Sequence, residues 1–174
     1  MKLSIIVLVL IQMLMIESYG QLKYEGTIDS DYKTVTLEDG NVKYVIYNKR
    51  EQTVNLHNVD KTLWKSINLP LPRHHFLDEI KHISMHTLNK DDLLEIIYSC
   101  TVLTSHDDID TPEDEFRKID FTINVINEQG AVLLKVPNSN DIRFINTENN
   151  KKLLIYRHSS ERIGHGDETL VYSF

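Results

Sequence analysis

Thr34-Val35-Thr36-Leu37-Glu38-Asp39-Gly40-Asn41-Val42-Lys43-Tyr44-Val45-Ile46-Tyr47 reads as a β-hairpin. β-Branched and apolar residues alternate with polar ones on both sides of Asp39-Gly40-Asn41, residues that suit a tight turn. The stretch recurs. It lies without gaps over Met85-His86-Thr87-Leu88-Asn89-Lys90-Asp91-Asp92-Leu93-Leu94-Glu95-Ile96-Ile97-Tyr98. A third version runs from Phe144-Ile145-Asn146-Thr147 through Asn149-Asn150-Lys151-Lys152 to Leu153-Leu154-Ile155-Tyr156. All three end in Ile-Tyr. A second hairpin follows the first two. Asn55-Leu56-His57-Asn58 with Leu63-Trp64-Lys65-Ser66-Ile67 matches Asn124-Val125-Ile126-Asn127 with Val132-Leu133-Leu134-Lys135-Val136. In the third version Leu170-Val171-Tyr172-Ser173-Phe174 starts this hairpin and its last strand is missing.

Two hairpins per unit predict a four-stranded meander at a period of about 50 residues, close to that of a propeller blade. The units span about 33–70, 83–137 and 142–174. The expected fold is all-β, built of antiparallel hairpin and meander repeats that are partly β-propeller-like, with a β-sandwich as the alternative closure. Such units cannot bury both faces alone, so they must stack. The strandless end of the third unit is an edge that invites pairing.

Short runs rich in Val, Ile, Tyr, Phe and Thr give eleven predicted strands. They are Lys33–Leu37, Val42–Asn48, Thr53–Asn58, Thr62–Leu69, Ile83–Leu88, Leu93–Leu103, Ile119–Asn127, Ala131–Val136, Ile142–Thr147, Leu153–His158 and Thr169–Phe174. Only Leu77–Met85 offers a helical spacing, and a loose one. A single alanine, Ala131, fits the preference for strands.

The first twenty residues belong to a different object. Lys2 precedes the apolar run Leu3–Ile16, interrupted by Ser4 and Gln12, and Glu17-Ser18-Tyr19-Gly20 supplies small residues at −3 and −1 of a cut. That is the pattern of a secretory signal peptide, with a mature domain over 21–174. Fourteen residues are short for a membrane span, which takes about 20. The expected address is secreted or periplasmic, with no membrane span after cleavage. The net charge of −7 argues against a nucleic-acid partner. One cysteine, Cys100, excludes a disulfide framework and a cysteine-based zinc site. It ends an apolar run and is expected to pack as a small hydrophobe.

Chemistry-bearing clusters are few. Asp107, Asp108, Asp110, Glu113, Asp114 and Glu115 fall within one acidic run. The default for such a run is a solvated loop. Its alternative is a calcium site drawn from Asp107, Asp108, Asp110 and Asp114, since calcium takes several carboxylate oxygens. An EF-hand beginning at Asp108 fails, because its sixth and twelfth positions are Glu113 and Ile119. His82 and His86 stand four apart, but the glutamate of a helical zinc pair is replaced by Ile83. On a strand their rings lie about 13 Å apart and cannot share an ion. The histidines are therefore read as surface or loop residues, and Trp64 as core. No Gly-x-Ser-x-Gly elbow and no phosphate loop is present, so no catalytic residue and no cofactor other than that calcium is expected.

The stretch Phe121–Leu134, followed by Lys151–Tyr156 and Leu170–Phe174, resembles secreted proteins of Bacteroidota. In those proteins, propeller-like repeats precede a C-terminal type IX secretion sorting domain. Ser-Tyr-Gly before Gln21 also resembles export signals of that phylum. This chain ends at Phe174, where the family would continue, so the resemblance implies export to the periplasm or a truncated relative. It implies no catalytic residues. The expected function is a non-catalytic binding or structural module that meets a protein or glycan partner through an exposed edge strand. The alternatives are a fragment of a glycan-active or metal-dependent hydrolase, and a lipocalin-like carrier. A carrier requires one closed barrel with an apolar cavity.

Overall fold

The computed structural model describes residues 24–28, 32–88, 91–105, 117–147, 150–158 and 167–174, with backbone alone at 104, 105, 117, 118 and 150. Residues 1–20 and the acidic run holding Asp107, Asp108, Asp110 and Asp114 lie outside the described residues. The described chain is all-β. In chain order the strands are β1 (Lys33–Thr36), β2 (Val42–Asn48), β3 (Thr53–His57), β4 (Leu63–Asn68), β5 (Phe76–Ser84) and β6 (Glu95–Ser105). They continue with β7 (Arg117–Asn127), β8 (Val132–Pro137), β9 (Ser139–Thr147), β10 (Asn150–Arg157) and β11 (Glu168–Ser173).

Within each sheet, strands consecutive in sequence pair antiparallel, giving three meanders. The first sheet is β1-β2-β3-β4, the middle sheet β5-β6-β7-β8, and the third β9-β10-β11. None closes into a barrel among the described strands. Local chemistry makes the hairpins. Leu37 donates to Asn41 and Gly40 back to Leu37, with Gly40 at φ 81°; Asn127 to Gly130 repeats this, with Gly130 at φ 82°. Glycine reaches that left-handed region without a Cβ penalty. In the β3–β4 turn the same place is taken by Lys61, at φ 70°.

Alternation then decides the packing. Val45, Val54, Leu56 and Ile67 of the first sheet meet Leu94, Ile96, Tyr98, Cys100 and Ile126 of the middle sheet in one core cluster. Ile97, Ile123, Val125 and Val136, on the opposite face of the middle sheet, meet Leu153 and Ile155 of the third. The middle sheet is covered on both sides, which is why Glu95–Cys100 is buried almost residue by residue.

The second hairpins of the first two sheets agree in pairing as well as in sequence. Leu56 faces Lys65 and His57 faces Leu63, with Trp64 left over as a bulge. Val125 faces Leu134 and Ile126 faces Val132, with Leu133 left over at the matching place. The first hairpins do not. Val45 pairs with Leu56, and Ile97 with Val125, so Val45 corresponds to Ile97 rather than to Ile96. The gapless match of Ile46-Tyr47 with Ile97-Tyr98 is therefore one residue out of step. A one-residue slip exchanges faces, and Tyr47 and Tyr98 accordingly point into the same interface from opposite sheets.

The fifth strand is also displaced, at Phe76–Ser84 rather than Ile83–Leu88. Two bulges, at Asp78 and Lys81, break its alternation. They leave Leu77, Ile80 and Ile83 three apart and all against the first core cluster. That spacing explains the helical look of Leu77–Met85: a doubly bulged strand mimics a helix in its apolar period.

Polar clamps lock the first sheet onto the middle one. The Glu38 carboxylate accepts from the amides of Met85 (3.0 Å) and His86 (3.3 Å) and from the Thr87 hydroxyl (2.6 Å). Partial burial pushes this carboxyl up, but the bonds from Thr87, Met85 and His86 together outweigh it and hold it at about 2. Glu79 sits at about 2 because Lys33 and Lys81 donate to it. Lys65 reaches across to Glu128, which also accepts from the Leu94 amide.

Both lowered carboxyls make the fold acid-sensitive. Their folded values lie below the ordinary 4.5, so their stabilisation is complete above that value and is lost as pH falls from about 4.5 towards 2. Glu38→Gln should cost about 1 kcal/mol at neutral pH, less than a buried charge-assisted bond is worth because solvent screens this exposed group. It should also flatten the stability-versus-pH curve between pH 4.5 and 2 in urea titrations. An unchanged slope would remove Glu38 as a clamp.

Candidate functional site

Two features of the third sheet stand out. The first is its outer edge. Among the described residues β11 is hydrogen-bonded to β10 alone, with Leu153 opposite Tyr172, Leu154 opposite Val171 and Ile155 opposite Leu170. Leu170 and Tyr172 turn towards the core shared with the middle sheet. Val171 turns the other way and is 57% exposed.

The second is a cleft of about 550 Å3, lined mainly by Lys81 of β5, Asp141 of β9, Tyr156 and Arg157 of β10, His158, and Glu168 of β11. Arg157 is ion-paired with Glu168, and His158 approaches Asp167 at 3.7 Å and Asn140 at 3.3 Å. Lys81 donates to Glu79 at 2.6 Å. The cleft thus presents paired donors and acceptors beside the Tyr156 ring, an arrangement that suits a polar ligand. A smaller groove of about 270 Å3 runs between β1 and β5, beside Lys33, Glu79 and His82.

The residues singled out by sequence are placed as follows. Asp107, Asp108, Asp110 and Asp114 lie outside the described residues. Among the described residues, no three His, Cys, Asp or Glu side chains group as a metal site needs. Cys100 is buried, and burial pushes its thiol up; its sulfur accepts from the Asn124 amide at 3.3 Å. His82 is not the surface histidine expected. It is half-buried on β5, its ring 4.6 Å from that of Phe144, because the neighbouring bulge turns it between the sheets. Burial lowers its ionisation below the ordinary 6.5, against a smaller upward pull from Glu38.

Trp64 is partly buried against the first core cluster, with the Lys43 ammonium 4.4 Å above its ring. Tyr24 is 81% exposed. The cleft itself was illegible in sequence. Lys81 comes from a bulge of one sheet, and Asp141, Arg157 and Glu168 from three strands of another, with no shared motif. Among the described residues no helix is long and apolar enough to cross a membrane. The chain matches no family model, no curated protein and no solved structure.

Proposed function

We propose that this protein is an exported, non-catalytic binding module, a propeller-like stack of repeated meanders that meets a protein or glycan partner along the third sheet. The observation that carries this reading is Val171. It stands 57% exposed on a strand at the third place of its meander. Leu56 and Val125, on the third strands of the other two sheets, are 0% and 2% exposed. An apolar residue on an unpaired edge marks a place where another molecule completes the packing. The polar cleft beside it widens the contact that such a partner can make. Export rests on the signal-like segment 1–20, and the Bacteroidota resemblance supports the same address.

A photo-crosslinking residue placed at 171 in the exported protein is expected to capture a discrete partner in the producing cell's envelope or medium. The same residue placed at Val42, exposed on the first sheet, should capture none. Equal capture at both positions, or at neither, would end the binding reading. The mature mass should begin at Gln21, and an intact N-terminus would end the export reading.

A further inference from the structure

We infer that the partner of β11 is an extended peptide strand, added antiparallel as the fourth strand of the third sheet. This rests on the binding reading above and goes further by naming the chemistry. Every bulge in the described pairing lies on a sheet-edge strand: Trp64 on β4, Asp78 and Lys81 on β5, Leu133 on β8, and Asn140 on β9. Bulges twist an edge away and spoil it as a template, as do lysines, prolines and short length. β4 and β5 add Lys65 and Lys81, and β8 adds Lys135 and Pro137. β1 is four residues long and carries Lys33.

Among the described residues β11 shows none of these guards. It pairs over six residues without a register shift, and Glu168-Thr169-Leu170-Val171-Tyr172-Ser173 contains no lysine and no proline. Its place in the meander is that of β3 and β7, which are interior strands with a neighbour on each side. The backbone phase is set by Phe174, whose amide donates back to Lys151 on the β10 side. Hydrogen-bonding direction alternates along a strand. Leu170 and Tyr172 therefore share the inward direction of Phe174, while the N–H and C=O groups of Thr169, Val171 and Ser173 point to the open side. That row matches an antiparallel strand in extended conformation, with β4 and β8 showing what fits beside an equivalent neighbour. A glycan has no regular ladder of alternating donors and acceptors to meet it.

The test uses a labelled peptide copying residues 61–69, the segment that contains β4, and a scrambled control. Fluorescence anisotropy should show saturable binding of the copy. Amide exchange followed by NMR should slow at least tenfold at Thr169, Val171 and Ser173, and stay unchanged at Val45. Val171→Pro, which removes one outward amide where proline is tolerated on an edge, should abolish both effects with the far-UV spectrum intact. Val171→Lys serves the same purpose if the proline variant unfolds. The inference is overturned if the scrambled peptide protects equally or if no protection appears at those three amides. It is also overturned if they already exchange slowly without peptide in proportion to protein concentration, which would make a second copy the occupant. Crosslinking at position 171 together with absent peptide protection would leave the binding reading standing and remove the added strand alone.

Discussion

Tyr98→Ala is expected to destabilise the protein by about 3–5 kcal/mol, the range for emptying a large buried aromatic site. Tyr98 is fully buried on β6 and faces the first sheet among Leu56, Ile96 and Cys100. Its hydroxyl donates to the Pro70 carbonyl at 3.1 Å, in the connection that carries the chain from the first sheet to the middle one. Removing the ring therefore opens a cavity at the joint between two sheets and frees their linker together. For a chain of this size such a loss lowers the melting temperature by about 10 °C. Tyr98→Phe separates the two contributions: it keeps the ring and should cost about 1 kcal/mol for the lost hydrogen bond. Urea unfolding measures both. Equal effects of the two substitutions would mean that the hydroxyl, rather than the packing, holds this joint.

Ile97→Ala, one residue away, should cost about 2–5 kcal/mol by the same cavity argument but act on a different joint. Ile97 is fully buried on the opposite face of β6, against Leu153 and Ile155 of the third sheet. Among the described residues the third sheet has one strand fewer than the others, so it buries less of its own surface and leans more on this contact. Local opening follows the weakest packed unit. Amide exchange in Ile97→Ala should therefore rise first in β9, β10 and β11, while β1–β4 keep their protection. In Tyr98→Ala the rise should instead include β2 and β3. Identical exchange maps for the two neighbours would show that the three sheets open as a single unit, contrary to two separate cores.

Acid should add to both. The unfolded chain takes up a proton at His82 near the ordinary 6.5, whereas the buried imidazole resists it. Stability thus begins to fall as pH drops below about 6.5, before the Glu38 and Glu79 clamps start to fail near 4.5. His82→Phe should remove the first part of that decline and leave the second, as read by urea midpoints across the range. A midpoint profile identical to that of the unsubstituted protein would place the early decline elsewhere.

Eleven strands were legible from alternation and turn chemistry, and ten of them lie within a few residues of where the pattern puts them. The eleventh, β5, was misplaced because bulges at Asp78 and Lys81 reset the period that strand recognition depends on. The same bulges brought His82 inward. The matching of Ile46-Tyr47 to Ile97-Tyr98 failed in a different way: side-chain identity repeats, but the pairing of β2 and β6 with their neighbours differs by one residue. Faces depend on that pairing, and pairing is a long-range property.

The chain's own residues determined that it would form short antiparallel strands joined by Gly, Asn and Asp turns, because backbone preference and alternation act within a few residues. They also set which residues could not be edge guards, since β11 visibly lacks lysine and proline. Only the tertiary structure decided that the middle sheet is covered twice, that Lys81 and Glu168 line one cleft, and that the bulges fall on edge strands but not on β11. Those facts rest on which strands become neighbours, and a one-residue change in register reverses a face without altering any local preference.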